Sequence, residues 1–191
     1  MKLKILGLGL SVIALMGIGA GTASATTLVI GGSPSASPIT ITASIEPIST
    51  SYLSSTSGSL SSTCKESHFH GSAPNGTSSK VTGSISSLSF TKCDPAGVQV
   101  HKAGNLYVEY TFGTNGDVFS EEAEITVPTT AGITANCKTG SGTTIGELEG
   151  VKSGHATLSL VAILNCGFLL PSAVWSGTYI VTSPTGLGVE K

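Results

Sequence analysis

Four cysteines are the residues of this chain whose type and spacing point most directly to chemistry. Cys64 and Cys93 are 29 residues apart, and Cys137 and Cys166 repeat that separation. Neither pair has the two-residue gap of zinc knuckles, so disulfide formation is favoured over metal binding. We expect the pairs Cys64–Cys93 and Cys137–Cys166, because each closes a β unit of equal length, while the two other pairings remain open.

His68 and His70 form the second motif that could carry chemistry. Residues two apart in a strand point to the same face, so both imidazoles would project together with Glu66 in phase. Such a row can bind copper or zinc, and the alternative is an exposed polar face beside Cys64. Because the sequence shows no third ligand element, we predict no metal and no other cofactor, with His68 and His70 as the candidates should a metal bind.

The sequence offers no specific catalytic constellation. Glu121, Glu122 and Glu124 cluster together, but they lack the spacing of a calcium loop, and a solvated loop or strand edge is the favoured explanation. Neither the Gly-x-Ser-x-Gly elbow of serine hydrolases nor a phosphate-binding glycine loop is present. We therefore expect a non-enzymatic protein and keep a secreted hydrolase as the third alternative.

Trp175 and Tyr179 are the aromatic candidates for a binding face. They are four residues apart in a strand-like stretch, so they should share one side of the strand. Exposed rings on a sheet can stack on sugars, which would make this pair part of a glycan- or small-ligand-binding face. A lone tryptophan in a β-protein is also a frequent core residue, and both interpretations are kept.

The N-terminus predicts export. Residues 1–25 combine two early lysines, an apolar run and a final Ala-Ser-Ala, which is the pattern of a cleaved signal peptide. We expect a secreted, extracellular mature chain without membrane insertion, since no later apolar stretch approaches the length of a span. The chain has no arginine and a net charge of −2, which argues against a nucleic-acid partner. The partner stays unknown, with a protein or glycan at the cell surface as the possibilities.

The elements that must position these residues are short strands. Alternating apolar stretches separated by Gly, Pro and Asn turns predict an all-β fold, an antiparallel sandwich with a small barrel as the alternative. We expect short strands and a Ser/Thr-rich segment over residues 26–58, then a disulfide-stapled core over 59–191, with 26–191 as a possible single domain. For residues 49–63 a flexible linker, a mobile stretch or a pair of polar strands is possible, and we favour a loop with a strand starting near Ser59. A bulge or bend is predicted near Ser86 and Ser87.

Two stretches carry a family resemblance. Residues 175–189 (WSGTYIVTSPTGLGV) and 87–93 (SLSFTKC) resemble the uncharacterised secreted, β-rich, cysteine-containing proteins of soil actinobacteria. The resemblance implies export and a β-rich fold, and it carries no activity and no site residues. The sequence as a whole predicts an exported, non-enzymatic extracellular or cell-surface protein with a structural or interaction role. A glycan- or small-ligand-binding module is the alternative.

Overall fold

The computed structural model describes residues 25–55, 58, 60–128, 132, 134–167 and 172–191, so nearly all of the predicted signal peptide (1–25) lies outside the described residues. The described residues form β-strands and no helix, and therefore include no helix that could cross a membrane. The strands are β1 Thr26–Ile30, β2 Ser33–Pro34, β3 Ile39–Ile45, β4 Ser51–Ser55, β5 Ser61–Ala73, β6 Thr77–Ser78, β7 Val81–Asp94, β8 Gln99–Lys102, β9 Asn105–Tyr110, β10 Gly116–Glu121, β11 Glu124–Pro128, β12 Thr134–Thr139, β13 Thr143–Glu149, β14 Thr157–Asn165, β15 Ala173–Ser183 and β16 Leu187–Glu190.

The main sheet closes on itself as an eight-stranded antiparallel barrel. The ring runs β3–β5–β7–β9–β10–β13–β14–β15 and returns to β3, and each member pairs with its neighbour along this order. The prediction of an all-β antiparallel fold is confirmed, and of the two architectures considered the structure has the barrel. An alternating apolar pattern does not distinguish the two architectures, because sandwiches and barrels each bury one face of every strand.

Four of the eight strand positions are interrupted at mid-height. The pairs β3/β4, β8/β9, β10/β11 and β12/β13 are each collinear and separated by the short segments 46–50, 103–104, 122–123 and 140–142. We call the part with β3, β9, β10 and β13 the cap half, and the part with β4, β8, β11 and β12 the disulfide half. Gly104 allows one interruption, because at φ +77° a Cβ would lie 2.3 Å from the Glu121 carbonyl oxygen.

The ring is incomplete in the disulfide half. β7 pairs with β9 only through residues 81–84, and the last hydrogen bond along this border runs from the Ile85 N–H to the Gly104 carbonyl at 3.3 Å. Below that point, within the described residues 85–102, no strand pairing joins β7 to β8. The other edge of β8 pairs with β11. We call this gap between β7 and β8 the seam.

A small second sheet covers the end of the cap half. β1 pairs with β16, β2 and β6, and it places Leu28 against the barrel core, where Leu187 of β16 joins it. The Tyr110 N–H donates to the Thr26 hydroxyl at 2.9 Å, which ties this sheet to β9. The barrel is thus closed by apolar side chains at the cap end.

The barrel interior follows the period of two that strands impose. On β14, Leu158, Leu160, Ala162 and Leu164 point inward and are at most 4 % exposed, while the residues between them face out. On the part of β7 that borders the seam, by contrast, the inward residues are only half-buried: Ile85, Leu88 and Phe90. Packing is therefore tight on the β14–β15 wall and loose beside the seam.

The predicted bulge on β7 is confirmed. His70 lies opposite Ser87 and Gly71 lies opposite Ile85, so Ser86 is the extra residue. The bulge shifts the inward phase from Ile85 to Leu88 and keeps both side chains on the barrel side.

The loop favoured over residues 49–63 is wrong for Ser51–Ser55, which form the strand β4. Leu53 enters the core, and the two serines that flank it on the same face find partners inside the barrel. The Trp175 indole N–H donates to the Ser51 hydroxyl at 2.7 Å, and the Leu60 N–H donates to the Ser55 hydroxyl at 3.0 Å. Hydrogen bonding therefore makes an inward serine compatible with a strand. Within residues 26–58, β3 and β4 belong to the main sheet and β1 and β2 to the second sheet, while residues 56, 57 and 59 lie outside the described residues.

Both predicted disulfides are present. Cys64 of β5 lies directly opposite Cys93 of β7. Cys137 of β12 is bonded to Cys166, which follows β14. Both bonds lie in the disulfide half, one beside the seam and the other where β12 and β14 share only two paired residues. Cys137–Cys166 thus reinforces a short ladder, whereas Cys64–Cys93 lies within the long β5–β7 ladder and holds the strand that borders the seam.

Removing Cys64–Cys93 with the double substitution C64A/C93A should destabilise the disulfide half selectively. A loop of this length is worth about 3–4 kcal/mol of unfolding free energy, measurable by urea denaturation. Hydrogen exchange should show lost protection first in β4, β7 and β8, while β9, β10 and β13 stay protected. Equal loss of protection in both halves would contradict this assignment.

Candidate functional site

Trp175 and Tyr179 share a face, as predicted, and that face is the barrel interior. Trp175 is 8 % exposed and Tyr179 is fully buried, with ring centroids 6.3 Å apart in an edge-to-face arrangement. Phe90 packs edge-on against Trp175 at 5.5 Å. No ring face of Trp175 or Tyr179 is open to a sugar, so the exposed-platform interpretation is corrected in favour of the core interpretation.

A polar chain fixes the orientation of these two rings. The Tyr179 and Ser67 hydroxyls are 2.9 Å apart, and Ser51 accepts the Trp175 indole N–H. Burial raises the pKa of Tyr179 to about 12, and hydrogen bonds with Ser67, Ser51 and Trp175 offset part of that shift. Each of these buried polar groups has a hydrogen-bond partner, so together they hold the Trp175 and Tyr179 rings in fixed orientations.

Glu66, His68 and His70 form the predicted row on the outer face of β5. The His70 Nδ1 lies 3.1 Å from the Thr42 hydroxyl. Glu66 accepts hydrogen bonds from Lys92 and, at 3.0 Å, from Thr91, and these bonds hold the pKa of its carboxyl below the usual value. Within the described part of the chain, no group of three His, Cys, Asp or Glu could hold a metal ion.

The acidic cluster is dispersed into separate ion pairs. Glu122 pairs with Lys102, whose hydrogen bond and charge lower the pKa of that carboxyl, and Glu124 pairs with Lys138 at 3.1 Å. These side chains lie on the outer wall and do not face one another across a cleft. The cluster therefore supplies no paired carboxylates for hydrolysis.

One wall of the barrel carries no charged side chain. The strands β3, β4, β14 and β15 contain no Asp, Glu, Lys or Arg, and Glu46 in the 46–50 connection is the nearest along the chain. The ion pairs found among the described residues all lie on strands of the remaining wall. We call the wall formed by β4, β14 and β15 the uncharged face.

Apolar side chains stand out from this uncharged face in two rows. Val161 of β14 lies beside Ser176 and then Tyr52, and Ile163 lies beside Val174. Val161 and Ile163 are 59 % and 61 % exposed, and Tyr52 is 41 % exposed. Residues 161–163 pair only with β15, since β13 and β12 pair with β14 on either side of them. Sequence reasoning missed this feature, although its signal, a lack of charge in the last two long strands, was visible.

Comparison with known proteins yields no match. No protein-family model matches the chain, and no similar curated protein or solved structure was found. Function must therefore be argued from the chain itself.

Tyr179→Phe should change how stability depends on pH. The folded protein keeps the Tyr179 proton up to about pH 12, whereas the unfolded chain loses it near pH 10. The unfolding free energy of the wild type should therefore fall as the pH rises from 9 to 11, by about 1.4 kcal/mol from this residue. Urea denaturation at both pH values should show that this part of the fall is missing in Y179F and present in the control Y52F. An identical fall in all three proteins would refute the assignment.

Proposed function

We propose that this chain is an exported, non-enzymatic extracellular or cell-surface protein with a structural or interaction role. The two disulfides support a location outside the cytosol, where such bonds persist. The observation that carries the proposal is the uncharged face with its exposed Val161 and Ile163. Contiguous apolar surface on a rigid sheet is typical of protein contact sites.

The partner we assign to this face is a second copy of the chain. A charged partner would find no counter-charge on β14, β15 or β4. A second copy presents the same neutral surface, so a two-fold contact brings apolar rows together without repulsion between like charges. The serine hydroxyls beside the rows can hydrogen-bond across such a contact. This assembly is the structural role that the proposal ascribes to the protein.

The other functions considered have less support. Trp175 and Tyr179 are buried, so they do not form an exposed surface on which a sugar could stack. For a hydrolase, a nucleophile needs a base that is itself oriented by a third group. Two of the described histidines, His70 and His101, instead contact threonines on the outer wall. The His155 Nδ1 lies 2.9 Å from the Val181 carbonyl oxygen. We therefore keep the non-enzymatic role.

Charge placed on the uncharged face should abolish self-association. The double substitution V161E/I163E puts two carboxylates at the centre of the contact, where each copy would repel the other. Sedimentation velocity over a range of concentrations should show concentration-dependent association of the mature wild type and a monomer for the variant.

Phe112→Glu is the matched control for this substitution. Phe112 is 66 % exposed, similar to Ile163, but it lies in the connection between β9 and β10 on the other wall. F112E should associate like the wild type, and far-UV circular dichroism should confirm that all three proteins are folded. A wild type that is monomeric at every concentration, or association that survives V161E/I163E, would reject the second copy as the partner.

A further inference from the structure

Apolar space runs along the barrel axis in three adjoining cavities. The largest, about 70 Å³, lies in the cap half under Leu28 and Leu187 and is lined by apolar side chains and Gly83. A second cavity of about 20 Å³ shares Phe69 and Leu106 with the first. A third of about 10 Å³ shares Trp175 with the second. Neighbouring cavities in this series are therefore in contact with the same side chains.

The second and third cavities lie next to the seam, where the barrel wall has no strand pairing. Leu88 and Ala103 line the second cavity, and Phe90 and Val98 line the third, so both cavities lie behind β7 and the start of β8. The lining residues of β7 are half-buried, unlike the inward residues of β14. No strand pairing closes this border in residues 85–102. The seam is therefore the side from which a molecule can reach the interior.

The chemistry of the lining selects an apolar occupant. No charged residue borders any of the three cavities. In the described chain, every buried side-chain nitrogen and oxygen already has a hydrogen-bond partner. The serines at the cavity walls are engaged as well, Ser51 by Trp175 and Ser120 by Thr139 at 3.1 Å. A polar group brought inside would lose its water and find no free partner.

The size and shape of the space select a narrow occupant. The largest cavity has about half the volume of the ~150 Å³ cavity that is known to hold benzene. The smaller two extend it in one direction, toward the seam. A flexible linear chain can occupy such a row one methylene at a time, whereas a ring cannot.

We propose that the barrel binds a single linear alkyl chain. Its end occupies the cavity of the cap half, its length passes Leu106, Phe69 and Trp175, and its polar end stays in solvent at the seam. Each buried methylene contributes through the hydrophobic effect, and no specific polar contact is required. This binding site is separate from the uncharged face and does not depend on self-association.

The single tryptophan of the chain is a built-in reporter for this site. Trp175 borders two of the cavities, and bromine quenches indole fluorescence only at contact range. Titration of the mature protein with dodecanoate brominated at mid-chain, where the bound chain passes Trp175, should give saturable quenching below the micelle concentration, and plain dodecanoate should reverse it by competition. The absence of saturable quenching in the wild type would overturn the proposal.

The side chain of Leu106 lines both of the two larger cavities, so a larger or a smaller residue there should change the affinity in opposite directions. L106F fills the connection and should weaken binding by about tenfold, the loss expected when about two methylenes stay unburied. L106A widens the connection and should strengthen binding, so the proposal is tested even if one variant folds poorly. Unchanged affinity in whichever variant is folded would contradict the interior site.

V161E/I163E separates this site from the outer wall. Quenching should persist in that variant, since both substitutions lie on the outside of β14. Quenching that is lost in V161E/I163E but kept in L106F would place the alkyl chain on the uncharged face and refute the interior site, without bearing on self-association.

Discussion

Closure of the antiparallel ring is the interaction on which the rest of this structure depends. A sheet edge leaves backbone donors and acceptors unpaired, and joining the first strand position to the last removes both edges. Here β3 and β4 perform that closure, since each pairs with β5 on one side and with β15 on the other. The closed wall creates an inside, and burial then assigns a side to every strand residue. Trp175 and Tyr179 become core residues because their face of β15 is the inner one.

The completeness of closure differs between the two ends of the barrel. In the cap half every neighbour is paired and a second sheet covers the opening. In the disulfide half β8 keeps its pairing with β11, but no strand pairing joins β8 to β7, which is left without a partner on that side. Two covalent bonds occupy this same half. Cys137–Cys166 reinforces the short β12–β14 ladder, and Cys64–Cys93 ties β7, which has no partner at the seam, to its other neighbour β5. The disulfides thus stabilise the half of the barrel in which closure is incomplete.

Local patterns determined how much of this could be predicted. Equal spacing identified the cysteine pairs, and the phase change between Ile85 and Leu88 identified the bulge, because both signals lie within one hairpin. The barrel itself depends on pairing between β3 and β15, which are more than a hundred residues apart, and no local pattern encodes that contact. The strand β4 was not predicted for a related reason, because Ser51 and Ser55 occupy its inward positions where apolar residues would be expected. The inward hydroxyl of Ser51 is acceptable because the indole of Trp175 reaches it from β15, and that of Ser55 because the nearby Leu60 N–H donates to it. The same non-local pairing decides which face of β15 is buried, so the location of Trp175 could not be derived from spacing alone.

The two walls of the barrel differ in a way that separates their possible roles. The β14–β15 wall consists of long continuous strands with a tightly packed inner face and an outer face without charge. The opposite wall contains β8 and β9 with their interruption, the seam, and ion pairs such as Lys92–Glu66 and Lys102–Glu122 on its exterior. Charge on that exterior disfavours contact with another apolar surface, while loose packing behind it leaves room inside. Continuous pairing makes the first wall a rigid surface suited to contact with a partner. Incomplete pairing makes the second wall the one through which the interior can be reached, so a single difference in strand continuity places external contact and internal access on opposite sides of one barrel.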